Sequence, residues 1–401
     1  MPEQITQLQK CTGCGTCANI CPCNSIELRE DKNGFLYPHI DSLSCINCHL
    51  CVKTCPENNC IEPQNTSSNP LSFIAWRTSE KERLESASGG IFSAIADYVI
   101  QNKGSIYGAA FDTNFHLKYQ RAENLEELKP FKSSKYCHAH FNNLQKKIGD
   151  DLQLGKLVLL GATSCQISGV HAYLKQKGIS LDHLITCGLI CHGVAPNKIF
   201  KDSIHFFENK FNIKITQINQ RCKNSGNNLL PELTTCVTLS DGTRQYIEIR
   251  KNPYMLGFLR TFFYRENCYQ CRYARLPRIE DITLGDYFKT NKEIVDDYRK
   301  GVSVVLCNNS KGMEIFKKTQ NSLKTFPIQL DEVIKKKHNL THPSFRNPQR
   351  EKFFKDYESG GFALVEKKYL RHQPIKVFIE KIINIIRKWI WHPLKNLKNK
   401  R

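Results

Sequence analysis

Residues 11–22 read Cys-Thr-Gly-Cys-Gly-Thr-Cys-Ala-Asn-Ile-Cys-Pro, and residues 45–56 read Cys-Ile-Asn-Cys-His-Leu-Cys-Val-Lys-Thr-Cys-Pro. Each run sets three cysteines at even C-x2-C spacing, adds a fourth after three more residues, and closes with proline. Three thiolates on one tight loop hold three irons of a 4Fe–4S cube, and in paired runs the fourth thiolate comes from the other run. The spacing therefore predicts one cluster on Cys11, Cys14, Cys17 and Cys55, and another on Cys45, Cys48, Cys51 and Cys21. Structural zinc is the competing chemistry, but zinc ribbons separate two C-x2-C pairs by a longer gap.

The chain has 401 residues, more than one domain usually needs, and 40% apolar residues, enough for a sizeable core. Nineteen cysteines in a short secreted chain would suggest disulfides, but this chain is long and its clusters need reduced thiolates. A cytoplasmic setting is expected. Residues 1–10 are polar and lack the apolar core of a secretory signal, and no apolar run approaches a membrane span. The net charge of +20 attracts anionic surfaces or acidic partners, and no nucleic-acid motif accompanies it.

Residues 1–60 form a module similar to the two-cluster ferredoxins, with Asn33-Gly34 as a hairpin turn between its halves. Residues 61–73 are a linker rich in Asn, Pro and Ser. The expected fold class is α+β or α/β: the module, then a mixed α/β core in two regions (74–155 and 156–325), then a basic helical tail (326–401). Ser88-Gly89-Gly90 precedes a helical pattern carrying Ile91, Phe92, Ile95, Ala96 and Val99, and Ser105–Phe111 reads as a strand. Strands over 156–160 and 184–190 flank a helix over 166–177, a strand–helix–strand unit that implies parallel pairing. Asp241-Gly242 marks a hairpin between strands over 233–239 and 243–250, and 281–284 and 302–306 are further strands. Residues 224–228 read as a mobile loop.

Cys165 and Cys191 each follow the carboxyl end of a predicted strand, where open α/β sheets bind ligands. Cys268 and Cys271 add a pair at metal-ligand spacing. Four thiols could converge there on a third cluster. Alternatively Cys165 and Cys191 are small buried hydrophobes and Cys268 and Cys271 a lone pair, and Cys187 competes for a ligand role.

Ser88-Gly89-Gly90-Ile91-Phe92, Ser134-Lys135-Tyr136, Gly161-Ala162-Thr163-Ser164-Cys165-Gln166, Cys191-His192-Gly193, Cys268-Tyr269-Gln270-Cys271 and Asp281-Ile282-Thr283-Leu284-Gly285-Asp286 occur in that order. In these stretches the chain resembles the beta-subunit family of coenzyme F420 (deazaflavin) hydrogenases and dehydrogenases. The resemblance implies a flavoprotein with FAD and a core 4Fe–4S cluster on Cys165, Cys191, Cys268 and Cys271. It departs at Ser164, where the family usually has proline, and at Arg221–Asn227, which lacks the usual tryptophan.

A flavin converts single electrons from clusters into the two-electron steps of organic substrates. Its pyrophosphate needs backbone N–H donors, which Ser88, Gly89 and Gly90 at a helix start could supply, although an ordinary helix cap would read the same. Ser134, Lys135, Tyr136, Thr163 and Gln166 are further candidate cofactor contacts, and His192, Lys135 and Asp286 are candidate catalytic groups. The expected function is electron transfer between a ferredoxin-like donor and a small-molecule or deazaflavin substrate. The alternative is a non-catalytic electron-transfer subunit of a larger complex. Residues 375–391 place Phe378, Ile382, Ile386 and Trp389 on one helical stripe among lysines and arginines. Such a helix suits peripheral contact with the inner face of a membrane, or docking on protein.

Overall fold

The computed structural model describes residues 4–63, 65–287 and 295–372. The predicted amphipathic helix over 375–391 and the basic end lie outside the described residues. Among those described, no helix is long and apolar enough to cross a membrane.

The first module carries helices Thr16–Ile20 and Leu50–Thr54, each holding the third cysteine of its run, and a hairpin of β1 (Ile26–Glu30) and β2 (Leu36–Ile40). Gly34 turns that hairpin at φ 85°, the left-handed region that glycine enters without a Cβ penalty. Ile20 and Phe35 are buried in the main hydrophobic core, so the module is built into the larger body.

That body is organised by one eight-stranded sheet. Its strands in chain order are β3 (Leu71–Arg77), β4 (Ser105–Phe111), β5 (Leu117–Ala122), β6 (Val158–Ala162), β7 (Leu184–Leu189), β11 (Ile282–Asp286), β12 (Ser303–Cys307) and β13 (Leu323–Pro327). They lie in the order β13-β3-β12-β11-β7-β6-β4-β5. The central strands β11, β7, β6 and β4 are mutually parallel, and every other pairing is antiparallel. Sheet strands buried on both faces read as continuous apolar runs, and Val158-Leu159-Leu160 does so. Val158 and Leu160 pack with Ile167 and Val170 of the Ser164–Gln176 helix, while Leu159 packs on the Ile91–Gln101 helix side.

A second sheet holds β8 (Ile215–Ser225), β9 (Asn228–Leu239) and β10 (Arg244–Ile247). The expected Asp241-Gly242 turn joins β9 and β10. Residues 224–228 are not a loose loop: they close a long hairpin, with Gly226 at φ 59° and Asn224 paired to Leu229. Their polar composition hid strands whose order comes from cross-strand pairing rather than apolar alternation.

Gly89 and Gly169 show how tightly the parts meet. A Cβ on Gly89 would lie 2.4 Å from the Ala75 carbonyl of β3. One on Gly169, in the helix after β6, would lie 2.6 Å from Thr16 Oγ1 and 2.8 Å from Cys14 Cβ. Replacing Gly169 by leucine should therefore destabilise the chain by about 1–3 kcal/mol, the usual cost of overpacking. Thermal unfolding of the variant checks this, and an unchanged midpoint would contradict the packing.

Candidate functional site

The parallel strands β6, β7 and β11 send their carboxyl ends to one edge of the sheet. Cys165 sits in the first turn of the helix after β6, Cys191 in the outlet of β7, and Asp286 ends β11. Cys268 and Cys271 reach the same edge from the short helix Glu266–Gln270. All four thiols line one cavity, together with Thr12, His138, Thr163, His192, Arg265 and Arg278. Burial raises the Cys165 thiol well above its ordinary pKa, and the thiolates of Cys271, Cys191 and Cys268 raise it further. Cys191 is pushed to about 11, mainly by burial and then by Cys271. Four such thiolates repel one another, and soft sulfur donors so arranged fit a cationic iron–sulfur core.

Arg278 ties the cavity walls together. It forms a buried ion pair with Glu280 at 2.8 Å and donates to Ser164 Oγ at 2.6 Å, the Leu189 carbonyl at 3.1 Å and the Tyr273 carbonyl at 2.7 Å. These acceptors flank Cys165, Cys191 and Cys271 respectively. Thr163 Oγ1 lies 3.3 Å from Cys165 Sγ. Gln166 is a strut behind the thiols: its amide donates to the Ala139 carbonyl at 2.7 Å and accepts from Tyr119 at 2.7 Å. Cys187 is away from this cavity; it faces the other side of the sheet, with Cys307 in the same apolar cluster.

In the first module, burial raises Cys17, and Cys14, Cys11 and Cys55 raise it further. Cys55 is pushed up to about 12, by burial first and then chiefly by Cys14. Cys45, Cys48 and Cys51 line a second cavity with Cys21. The crossed grouping expected from the spacing is thus the grouping in space. Cys48 is exposed, as are Leu43 and Ile46 beside it, whereas Cys11 and Cys14 are buried against the core. None of the nineteen cysteines is in a disulfide. Among the described residues no three His, Cys, Asp or Glu side chains converge on a single-ion site.

The two thiol sets adjoin. Gly169, against Cys14, follows Cys165 by one helical turn, about 6 Å along the axis. Gln145 donates to the Cys14 carbonyl at 3.0 Å, and Asn267 Nδ2 donates to the Lys10 carbonyl at 2.6 Å.

Beyond the cavity rim, where His192 is exposed, a polar cleft collects Ser88, Arg221, Lys223, Glu232 and Asp286. Arg221 pairs with Asp286 at 2.8 Å and donates to the Tyr136 hydroxyl at 3.0 Å. Burial raises the Asp286 carboxyl, and Arg221 outweighs that, leaving its pKa below the ordinary value. The ion pair is therefore intact at neutral pH and fails only as the pH falls through that lowered pKa. Burial pushes the Lys223 ammonium down to about 6, with Arg221 adding to the shift. It nevertheless donates to the carbonyls of Arg83 at 2.7 Å, Lys300 at 2.8 Å and Ser88, and only the charged form has three donors. Although the His192 ring reaches solvent at the rim, the protein packed around it lowers its pKa, Lys337 adds to the shift and Asp286 opposes it.

The structure brings Ser88, Tyr136 and Asp286 together. Arg221 and Lys223, which hold them, lie in the Arg221–Asn227 stretch that the family resemblance singled out and that keeps the family's Arg and Lys. Gly90 caps the Ile91–Gln101 helix at φ 85°, but the Gly89 N–H is already bound to Ser303 Oγ at 2.9 Å. Ser133, next to Ser134, donates to Asn219 Oδ1 at 2.7 Å. Lys135 donates to the Pro130 carbonyl, and burial pulls its ammonium down to about 7.

Paired cysteine sets docked on an α/β core define an iron–sulfur protein. Residues 155–330 match the family described as the carboxyl terminus of the coenzyme F420 hydrogenase/dehydrogenase beta subunit, and residues 10–59 match the 4Fe-4S dicluster domain. Residues 155–330 thus carry a region similar to that beta-subunit family, and a 4Fe–4S-binding domain precedes it. An uncharacterized ferredoxin of Methanocaldococcus jannaschii is 39% identical over 56 residues, 14% of this chain and 71% of that protein. An uncharacterized protein from the rpl9-rpl11 intergenic region of Porphyra purpurea is 36% identical over 55 residues, 13% of this chain and 73% of that one. Among solved structures, a chain of the F420-reducing [NiFe] hydrogenase complex from Methanosarcina barkeri aligns with a TM-score of 0.48 and 16% identity, covering 75% of this chain and 96% of its own.

Replacing Glu280 by alanine should leave Arg278 charged, buried and unpaired, costing about 3–5 kcal/mol, and the apolar pair Arg278→Met with Glu280→Leu should recover much of that. Denaturant unfolding of the two variants checks this; equal stability of Glu280→Ala and the parent would contradict the role given to the pair.

Proposed function

We propose that this chain is an iron–sulfur flavoprotein oxidoreductase that carries electrons between a ferredoxin-like donor and a small-molecule or deazaflavin substrate. The observation that carries this reading is the cavity ringed by Cys165, Cys191, Cys268 and Cys271, one helical turn from Cys14. When bound, three 4Fe–4S clusters would supply one-electron steps and FAD the exchange between one- and two-electron chemistry.

The chain's own residues have distinct tasks in this scheme. Cys11, Cys14, Cys17 and Cys55 hold the cluster nearest the core; Cys45, Cys48, Cys51 and Cys21 hold the outer one, beside the exposed Leu43 and Ile46 where a donor can approach. The net charge of +20 favours an acidic donor. Arg221, with Ser88, Tyr136 and Asp286, fixes the polar part of the flavin or substrate, while Ser134 and Lys135 flank it on the neighbouring segment. Thr163 steadies Cys165, and Gln166 holds the wall behind it. His192, between the thiol cavity and Asp286, is placed to hold or move a proton.

A second reading, an electron-transfer subunit of a larger complex, is favoured by the family description as a beta subunit. Both readings share the cofactors. Protein purified without air should carry about twelve irons and one FAD per chain, and Cys268→Ala should lose about four of those irons. About eight irons and no flavin in the parent would overturn the core site. Turnover by the isolated chain with an artificial electron donor supports the enzyme, and its absence in flavin-replete protein supports the subunit.

A further inference from the structure

Arg265 stands between the two adjoining thiol sets. It is 1% exposed, and among the described residues no carboxylate lies within ion-pair distance of it. Its Nε donates to the Cys11 carbonyl at 2.6 Å and its Nη2 to Cys11 Sγ at 3.3 Å. Its plane lies 4.2 Å from the ring centre of Tyr37, while Nη1 is buried without a partner. The same side chain lines the cavity of Cys165, Cys191, Cys268 and Cys271. Its backbone spans both walls: the N–H donates to the Val194 carbonyl at 2.9 Å, and the carbonyl accepts from Cys268 N at 2.9 Å. Gly13 makes room for it, since a Cβ there would lie 3.1 Å from Nη1 and 2.6 Å from His138 Cε1.

A fixed guanidinium with no acid beside it is costly to bury unless an anion compensates it. The anionic groups within reach are the thiolates of the two sets, and a cube with four thiolate ligands carries net negative charge.

We propose that Arg265 is a shared counter-charge for the Cys11-side cluster and the core cluster, a positioning residue that raises the reduction potential of at least one of them. This rests on the cofactor assignment above. A one-electron donor of the ferredoxin class is oxidised as the Cys45-side site is reduced, that site is reoxidised as the Cys11-side site is reduced, and the Cys11-side site is reoxidised as the core site is reduced. Arg265 offsets the added negative charge at each stage.

The test is an EPR-monitored redox titration of anaerobically purified Arg265→Gln and Arg265→Lys, with iron and sulfide measured on the same samples. Iron content reports on the cofactor assignment, and the potentials report on Arg265. At full iron content Arg265→Gln should lower the reduction equilibrium constant of one of the two adjoining clusters at least tenfold, about 59 mV for one electron. The Cys45-side signal should not move, and Arg265→Lys should stay near the parent. Unchanged potentials in Arg265→Gln overturn the proposal. Should Arg265→Gln lose iron, Arg265→Lys decides: full iron and parental potentials support the shared charge, whereas iron loss or a fallen potential there overturns it in favour of a packing role.

Discussion

The parallel pairing of β6, β7 and β11 governs the rest of the molecule. Because these three strands run the same way, the segments leaving them emerge on one edge, and Cys165, Cys191 and Asp286 emerge with them. An antiparallel neighbour in place of any one would send its outlet to the opposite edge. The apolar strand interiors, buried on both faces, hold that arrangement, so the chemistry at the edge depends on the hydrophobic layer beneath it.

The second constraint is close approach. The first cysteine run rests on the helix that begins at Ser164, and the fit at Gly169 and Gly13 leaves no room for a Cβ without something moving. Two thiol sets far apart in sequence thereby share a wall, crossed by Arg265. On the other side of the core thiols, Arg278 links three cysteine-bearing segments through one side chain. A polar cleft with the Arg221–Asp286 pair lies beyond His192. Sulfur-lined space and charged cleft are thus neighbours on one sheet edge.

Much of this was legible in the residues. The crossed grouping of the first eight cysteines follows from their spacing, because two triplet loops, each short of one ligand, complete each other. Parallel β6 and β7 follow from apolar strands separated by a helix, and the convergence of Cys165 with Cys191 follows from that pairing. Cys268 and Cys271 were tied to them through family resemblance. The hairpin through 224–228 was missed because its first strand, Ile215–Ser225, is polar and owes its order to pairing, whereas only the later part of its partner, 233–239, was read as a strand. Arg265, Arg278 and Lys223 were not legible as hubs: each works through partners distant in sequence, and a lone cation in a string carries no mark of such contacts. Gly169 gave no sign either, since glycine within a helix signals only a propensity cost until its neighbour is known.

The most direct measurement is anomalous diffraction at the iron edge from crystals grown without air. The account predicts three compact iron peaks, one within each of the sets Cys11/Cys14/Cys17/Cys55, Cys45/Cys48/Cys51/Cys21 and Cys165/Cys191/Cys268/Cys271, with Arg265 between the first and third. Iron confined to the first module, or a core peak that responds at the zinc edge instead, would contradict it.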